Sequence, residues 1–238
     1  MEKAEKNNRK LPEIKANHGK YKEEIQMDFK KTRYQLAAPT LIKNFKKRNM
    51  EAYYCESSKD ALEKVKELIP AGSTVTTGGS ETLNETGIYS LITGGDYQFI
   101  DRKSAKTPEE ARALYGKIVC SDYFLMSTNA FTKDGELVNV DGNGNRVACL
   151  IQGPQHVIIV TGMNKLCETV EDAINRVHTV AAPPNAVRVG CKETVCMKTG
   201  ICGNCLSPES ICCQTVITRL SKHPGRITIL LVAEDLGF

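Results

Sequence analysis

The chain has no tryptophan, and aromatic residues make up only 6% of its 238 positions. Surfaces that stack nucleic-acid bases interleave aromatic with basic side chains. No such interleaving and no RNA or DNA motif occurs, so a nucleic-acid partner is not expected. No apolar run reaches the roughly 20 residues needed to cross a bilayer. The lysines near the N-terminus are not followed by the apolar core of a signal peptide. A cytoplasmic protein without a membrane span is expected. The dinucleotide fingerprint and the P-loop are also missing: the glycine-rich stretch Gly78 to Gly87 lacks the required glycine spacing and the lysine after the last glycine.

What is present suits a globular protein, with 41% hydrophobic and 25% charged residues in a chain long enough for one main domain with appendages. The net charge of +4 conceals an asymmetry. Residues 1–48 carry 14 Lys or Arg against 6 Asp or Glu, whereas the remainder carries 18 against 22. Because acids are interleaved with the bases, residues 1–48 read as a solvated helical arm that could dock in a homo-oligomer. Residues 49–238 then form an α/β domain, with a cysteine-rich segment at 191–213 inserted before the last strand.

Residues 1–20 lack periodicity and predict a loose terminus. Ile25, Phe29, Leu36, Leu41, Ile42 and Phe45 recur at helical spacing around Pro39, predicting two helices. Strand and helix signals then alternate. Strands are expected at 52–55, 73–77, 98–100, 123–126, 156–160 and 227–232, and helices at 58–69, 88–92, 108–119, 146–151 and 170–180, the last ended by Ala182-Pro183-Pro184. This pattern predicts a three-layer α/β/α sandwich around a mostly parallel sheet.

One stretch, Ser127 to Arg146, concentrates small polar residues immediately after the apolar Tyr123-Phe124-Leu125-Met126. Asp134-Gly135 predicts a hairpin turn, and Asp141-Gly142-Asn143-Gly144-Asn145 a second polar turn at its far end. Gly78-Gly79-Ser80-Glu81-Thr82 and Thr161-Gly162-Met163-Asn164-Lys165 likewise follow apolar strands. The ends of parallel strands share one edge, where ligands of open α/β sheets bind. Ser127, Asn129, Asn143, Asn145, Arg146 and Lys165 are therefore expected to meet Gly78, Gly79, Ser80 and Thr82 around a small anion, a carboxylate or a phosphate. Asp141 is a candidate acid-base group or a turn aspartate. Glu85 is a candidate general base or a first-turn glutamate.

GGSETLNETG at 78–87, STNAFTKDGELVNVDGNGNRVA at 127–148, GPQHVIIVTGMNK at 153–165 and CMKTGICGNCLSPESICC at 196–213 together resemble the LUD family, named for lactate utilisation. The likeness runs from about residue 25 to Phe238. It implies a fold similar to those of sugar-phosphate isomerases and CoA-transferases, in which Gly78, Gly79, Ser80 and Thr82 would be the phosphate loop. Glu85 would be the nearest counterpart of the CoA-transferase nucleophile, although the motif around it is absent. The resemblance implies an accessory or electron-transfer component of lactate or hydroxy-acid utilisation, working with iron-sulfur or redox subunits. A stand-alone isomerase or CoA-transferase-like enzyme acting on a phosphosugar, a small carboxylate or an acyl-CoA is the alternative, and a metal-stabilised binding module a further one.

Of the 10 cysteines, Cys55, Cys120, Cys149 and Cys167 lie in or beside apolar elements and read as small core residues. Cys196, Cys202, Cys205 and Cys212 supply four thiolates, two of them in a CxxC spacing that lets both reach one ion, with Cys191 and Cys213 in reserve. They suit zinc or an iron-sulfur cluster, and the family association tilts the expectation toward the cluster. Unpaired structural thiols and a redox disulfide are the other readings.

Overall fold

The computed structural model describes residues 18–238, with side chains from Phe29 onward. Residues 1–17 of the expected loose terminus lie outside the described residues. The chain forms α1 (His18–Lys47), β1 (Glu51–Cys55), α2 (Ser58–Leu68), β2 (Thr74–Thr77), α3 (Glu81–Glu85), α4 (Ile88–Gly94), β3 (Gln98–Phe99), α5 (Pro108–Val119) and β4 (Tyr123–Met126). It continues through β5 (Ala130–Thr132), β6 (Leu137–Asp141), α6 (Asn145–Ile151) and β7 (His156–Gly162), then a 3₁₀ turn (Met163–Lys165) and β8 (Leu166–Cys167). Last come α7 (Val170–Arg176), a π-helical turn (Val177–Ala181), α8 (Ala182–Val189), α9 (Val195–Thr199), β9 (Gln214–Thr218) and β10 (Ile227–Val232).

Six strands make a parallel sheet in the order β1-β10-β7-β4-β2-β3. Successive side chains of a strand point to opposite faces, so an apolar run fills two layers at once. Val157, Ile159, Ile229 and Leu231 pack with Phe124 and Met126 under α1, α5 and α6. Ile158, Val160, Leu230 and Val232 pack with Leu125 under α2, α3 and α4. The result is the expected three-layer sandwich. Fully burying each such side chain contributes roughly 1.5–3 kcal/mol.

Helix signals act locally as expected. The Ser57 side chain caps α2 by accepting from the Asp60 amide, Thr107 does the same for α5 at Glu110, and Pro108 occupies the first turn of α5. Two boundaries differ from expectation. Pro39 lies inside α1 rather than between two helices, because Tyr34, Ala38, Leu41 and Phe45, on both sides of it, all bury against the sheet. Burial of that face outweighs the roughly 3 kcal/mol penalty of an interior proline. The second half of α1 is thus a layer of the core, and Arg48 pairs with Glu136 at its end. Nor do Pro183 and Pro184 end the helical run: the π turn over Val177–Ala181 leads into α8, whose first turn tolerates prolines because their missing N–H groups have no partner to lose there.

A second, four-stranded sheet in the order β8-β5-β6-β9 stands apart from the first. The expected hairpin is β5 and β6, with Ala130 opposite Val138, and β9 adds antiparallel to β6, with Asp141 opposite Gln214. Strand β9 is mostly exposed and offers no apolar alternation, so its one signal in the sequence is the β-branched run Thr215-Val216-Ile217-Thr218. No helix among the described residues is long and apolar enough to cross a membrane.

Candidate functional site

The carboxyl ends of β2, β4 and β7 deliver Gly79 to Thr82, Ser127 to Asn129 and Lys165 to one edge of the parallel sheet. There, with the Asp141 to Arg146 turn, they line a cavity of about 430 Å³. Every residue expected at the site lines it except Gly78 and Glu85. Gly78 donates its N–H to the Leu125 carbonyl at 2.9 Å, and a Cβ there would lie 3.1 Å from Arg146 Cδ, so the glycine makes room for the arginine. Glu85 is exposed and accepts the Gly237 N–H at 2.6 Å, tying down the segment after β10. The Ser80 hydroxyl accepts the Leu83 N–H at 3.3 Å and caps α3.

Arg146 is half-buried beneath the cavity and is held by the protein itself. Its Nη1 donates to Asn139 Oδ1 at 2.6 Å and to the Ser127 carbonyl at 3.4 Å, and its Nη2 to Asn129 Oδ1 at 2.9 Å and the Val140 carbonyl at 2.7 Å. Its Nε lies 3.6 Å from Asp141 Oδ2. Both terminal nitrogens are therefore committed to clasping β4, β6 and the turn, rather than presented to a ligand as a two-pronged carboxylate clamp. Asp141 accepts from the amides of Gly144 and Val147 at 3.3 and 3.2 Å, fixing the turn and the start of α6. Asn129 Oδ1 also accepts the Val140 amide at 3.0 Å.

Lys165 is different. It is only 3% exposed and lines the cavity, and its Nζ donates to Thr82 Oγ1 and Ser127 Oγ, each at 3.1 Å. No ion pair among the described residues includes it. Burial pushes its ammonium down to about 7; the cations of Arg176 and Arg146 push the same way, and Glu85 pulls back. Arg176 donates to the carbonyls of Asn129 at 2.8 Å and Phe238 at 3.2 Å.

Four contributors escaped the sequence reading: Arg102, Arg188, Gly237 and Phe238. Arg102 and Arg188 both approach Gly79: a Cβ there would come within 2.9 Å of Arg102 Nη2 and 3.8 Å of Arg188 Nη2. Arg188 is oriented by Asn185 Oδ1 at 2.7 and 2.9 Å and faces Glu81 at 3.7 Å. Arg102 follows β3 at the same sheet edge, so the strand-end rule applied to that short strand finds it. Gly237 and Phe238 also line the cavity. Gly237 has φ +60°, and a Cβ there would meet Thr82 Oγ1 at 2.6 Å and Lys165 Nζ at 3.2 Å, so only glycine fits.

The cysteine segment forms another wall. Pro208 to Ile211, lying between Cys205 and Cys212, line the cavity, and a Cβ on Gly142 would sit 3.1 Å from Ile211 Cα. Cys202 Sγ lies 3.6 Å from His178 Nδ1, while Cys191 and Cys196 pack with Ala186. Burial pushes the Cys212 thiol up to about 11, helped by the neighbouring thiols of Cys202, Cys196, Cys205 and Cys213. Cys205 is held below its ordinary value by N–H groups of Ser207 and Val195 directed at its sulfur. Yet among the described residues no three His, Cys, Asp or Glu side chains converge closely enough to hold an ion. Of the cysteines expected in the core, Cys55 and Cys149 are buried and Cys167 half-buried, but Cys120 is exposed, since it caps α5 beyond the last buried residue, Ile118.

The chain is an α/β protein with a mostly parallel central sheet, flanking helices and a polar, cation-rimmed cavity at its strand ends. The LUD domain family matches residues 38–232, and the chain belongs to that family. No curated protein matches it. Among solved structures it is similar to a DUF162 family protein from Deinococcus radiodurans, at 12% identity and a TM-score of 0.47, over 85% of this chain and 97% of that one. It is also similar to ribose 5 phosphate isomerase A from Neisseria gonorrhoeae, at 12% identity and a TM-score of 0.31, over 48% of this chain and 54% of that one.

Proposed function

We propose that this LUD-domain chain binds a small oxygen-rich anion in the strand-end cavity, as a component of lactate or related hydroxy-acid utilisation. The observation that carries the reading is Lys165, a buried amine lining a cavity without a carboxylate partner. Arg102 and Arg188 at the rim supply further positive charge beside Gly79. Thr82, Ser127 and the amide side chains of Asn143 and Asn145 add uncharged polar groups suited to hydroxyl and carboxylate oxygens. Calorimetric titration with lactate, pyruvate and inorganic phosphate tests it. At least one should bind, and Arg188→Ala should weaken that binding roughly tenfold or more, the worth of one charge-assisted hydrogen bond. Absence of binding by all three overturns the reading. If the isolated chain also turns over a phosphosugar or acyl-CoA, and Glu85→Gln or Asp141→Asn abolishes it, the enzyme reading takes precedence.

A second reading concerns the thiols. The mutual influence of Cys196, Cys202, Cys205 and Cys212, with backbone amides directed at Cys205, supports a metal-responsive segment that would have to close further around zinc or an iron-sulfur cluster. Iron and zinc analysis of protein purified without oxygen decides it: a stoichiometric metal supports the site, and none overturns it.

A further inference from the structure

Resting on the anion-cavity reading, we propose that Lys165 is a covalent amine: that it condenses with the carbonyl of a small anionic aldehyde or ketone, a 2-oxo acid above all, to form an imine in the cavity. Nucleophilic lysines need an unprotonated amine, a place for the carbonyl compound, and groups that manage the proton and water of the condensation. Each requirement has a counterpart here. Lys165 has no paired carboxylate to keep it protonated; Arg146 on α6 and Arg176 on α7 oppose its charge, while Glu85 on α3, which favours it, is engaged with the Gly237 amide. Its Nζ is fixed between Thr82 Oγ1 and Ser127 Oγ rather than snorkelling to solvent.

The step balances without an added oxidant or reductant. The amine lone pair forms a C–N bond to the carbonyl carbon while the carbonyl oxygen takes up a proton. The carbinolamine then loses that oxygen as water, leaving a C=N bond to Nζ. The hydroxyls of Thr82 and Ser127 lie within hydrogen-bond distance of the nitrogen and are placed to carry its protons to the departing water. A carboxylate on the same substrate would face the rim cations Arg102 and Arg188, so the ligand chemistry implied is a carbonyl group and an anionic group in one small molecule.

The burial that holds Lys165 near 7 sharpens the test. At neutral pH an ordinary surface lysine, with a pKa near 10.4, has a free-amine fraction on the order of a thousandfold smaller. The experiment is incubation of the full chain with pyruvate at neutral pH, reduction with cyanoborohydride, and peptide mass mapping, alongside calorimetric titration of pyruvate. The expected result is a carboxyethyl group on the peptide carrying Lys165, at least tenfold above any surface lysine. Inorganic phosphate should suppress it in competition, and Lys165→Arg should lack it. Binding of pyruvate with no reducible adduct, or with adducts spread over surface lysines, overturns the covalent role and leaves the anion cavity standing. Pyruvate that neither binds nor labels overturns the role as well, and if lactate and phosphate also fail to bind, the cavity reading falls with it. The mapping on the unaltered chain decides the matter even if Lys165→Arg does not fold.

Discussion

The strand-end cavity and the cysteine segment share a wall but are built in opposite ways. In the cavity, most polar side chains are held by one another: Arg146 has acceptors on both terminal nitrogens, Asp141 has two amides, and Lys165 stands out because it has only hydroxyls, while the buried Nδ2 of Asn139 has no partner among the described residues. In the cysteine segment, chemically similar groups lie near one another without converging. A network whose members are mostly satisfied is rigid, whereas groups left without partners depend on something else to order them. The polar groups of the cavity are ordered by their own contacts, whereas the thiols would have to be brought together.

The sharpest way to break this contrast is to remove the clasp. Arg146→Ala leaves Asn129, Asn139, two carbonyls and Asp141 without their shared donor, and should lower stability by about 3–5 kcal/mol in urea denaturation. A loss under about 1 kcal/mol would mean that the cavity does not depend on its network.

Next in size is the pH dependence of Lys165. Its folded pKa of about 7 lies below the ordinary 10.5, so between these values the unfolded chain holds the extra proton and stability rises with pH. The penalty is therefore fully present below about 7 and is relieved as pH climbs toward 10.5. Compared with Lys165→Met, the wild type should gain at up to about 1.4 kcal/mol per pH unit across that window, read from paired urea midpoints. A pH-independent difference between the two would show that the amine is not desolvated.

The junction comes third. Gly142→Val places a branched side chain against Ile211 and Ser210, and should destabilise by about 1–3 kcal/mol while weakening anion binding. Unchanged binding in calorimetry would uncouple the two regions. The smallest effect belongs to Cys213, an exposed residue whose thiol donates to the Ser210 carbonyl and whose backbone bond to Asp141 the substitution leaves in place: Cys213→Ser should stay within about 0.5 kcal/mol of wild type in thermal denaturation.

Much of this was legible in the sequence because it depends on local patterns. The apolar runs at 156–160 and 227–232 are buried on both faces and could only be central strands, and the polar turns that follow β2, β4 and β7 share an edge because parallel strands do. What was not legible depends on partners distant in sequence. Pro39 looks like a boundary until the buried residues either side of it are seen to share one face. Arg146 looks like a ligand clamp until Asn129 and Asn139 are seen to occupy it. Arg188, Gly237 and Phe238 reach the cavity only through the tertiary path of α8 and the segment after β10, which no spacing encodes.

The strand order β1-β10-β7 has a consequence for how this chain comes to be made. β1 follows the first helix, yet its hydrogen-bonding neighbour, β10, is the last strand in chain order, with Glu51 to Cys55 pairing with Thr228 to Val232. While the polypeptide emerges from the ribosome, β1 must wait as an unpaired edge until some 170 residues have followed it, whereas β7 lacks its β10 neighbour only for the 64 residues between Gly162 and Ile227. The last strand slots between two that are already made, and the segment behind it brings Gly237 onto Thr82 and Lys165. Lys165 thus acquires its surroundings only when synthesis has passed β10, so shorter nascent chains carry every other wall of the cavity but not a finished one.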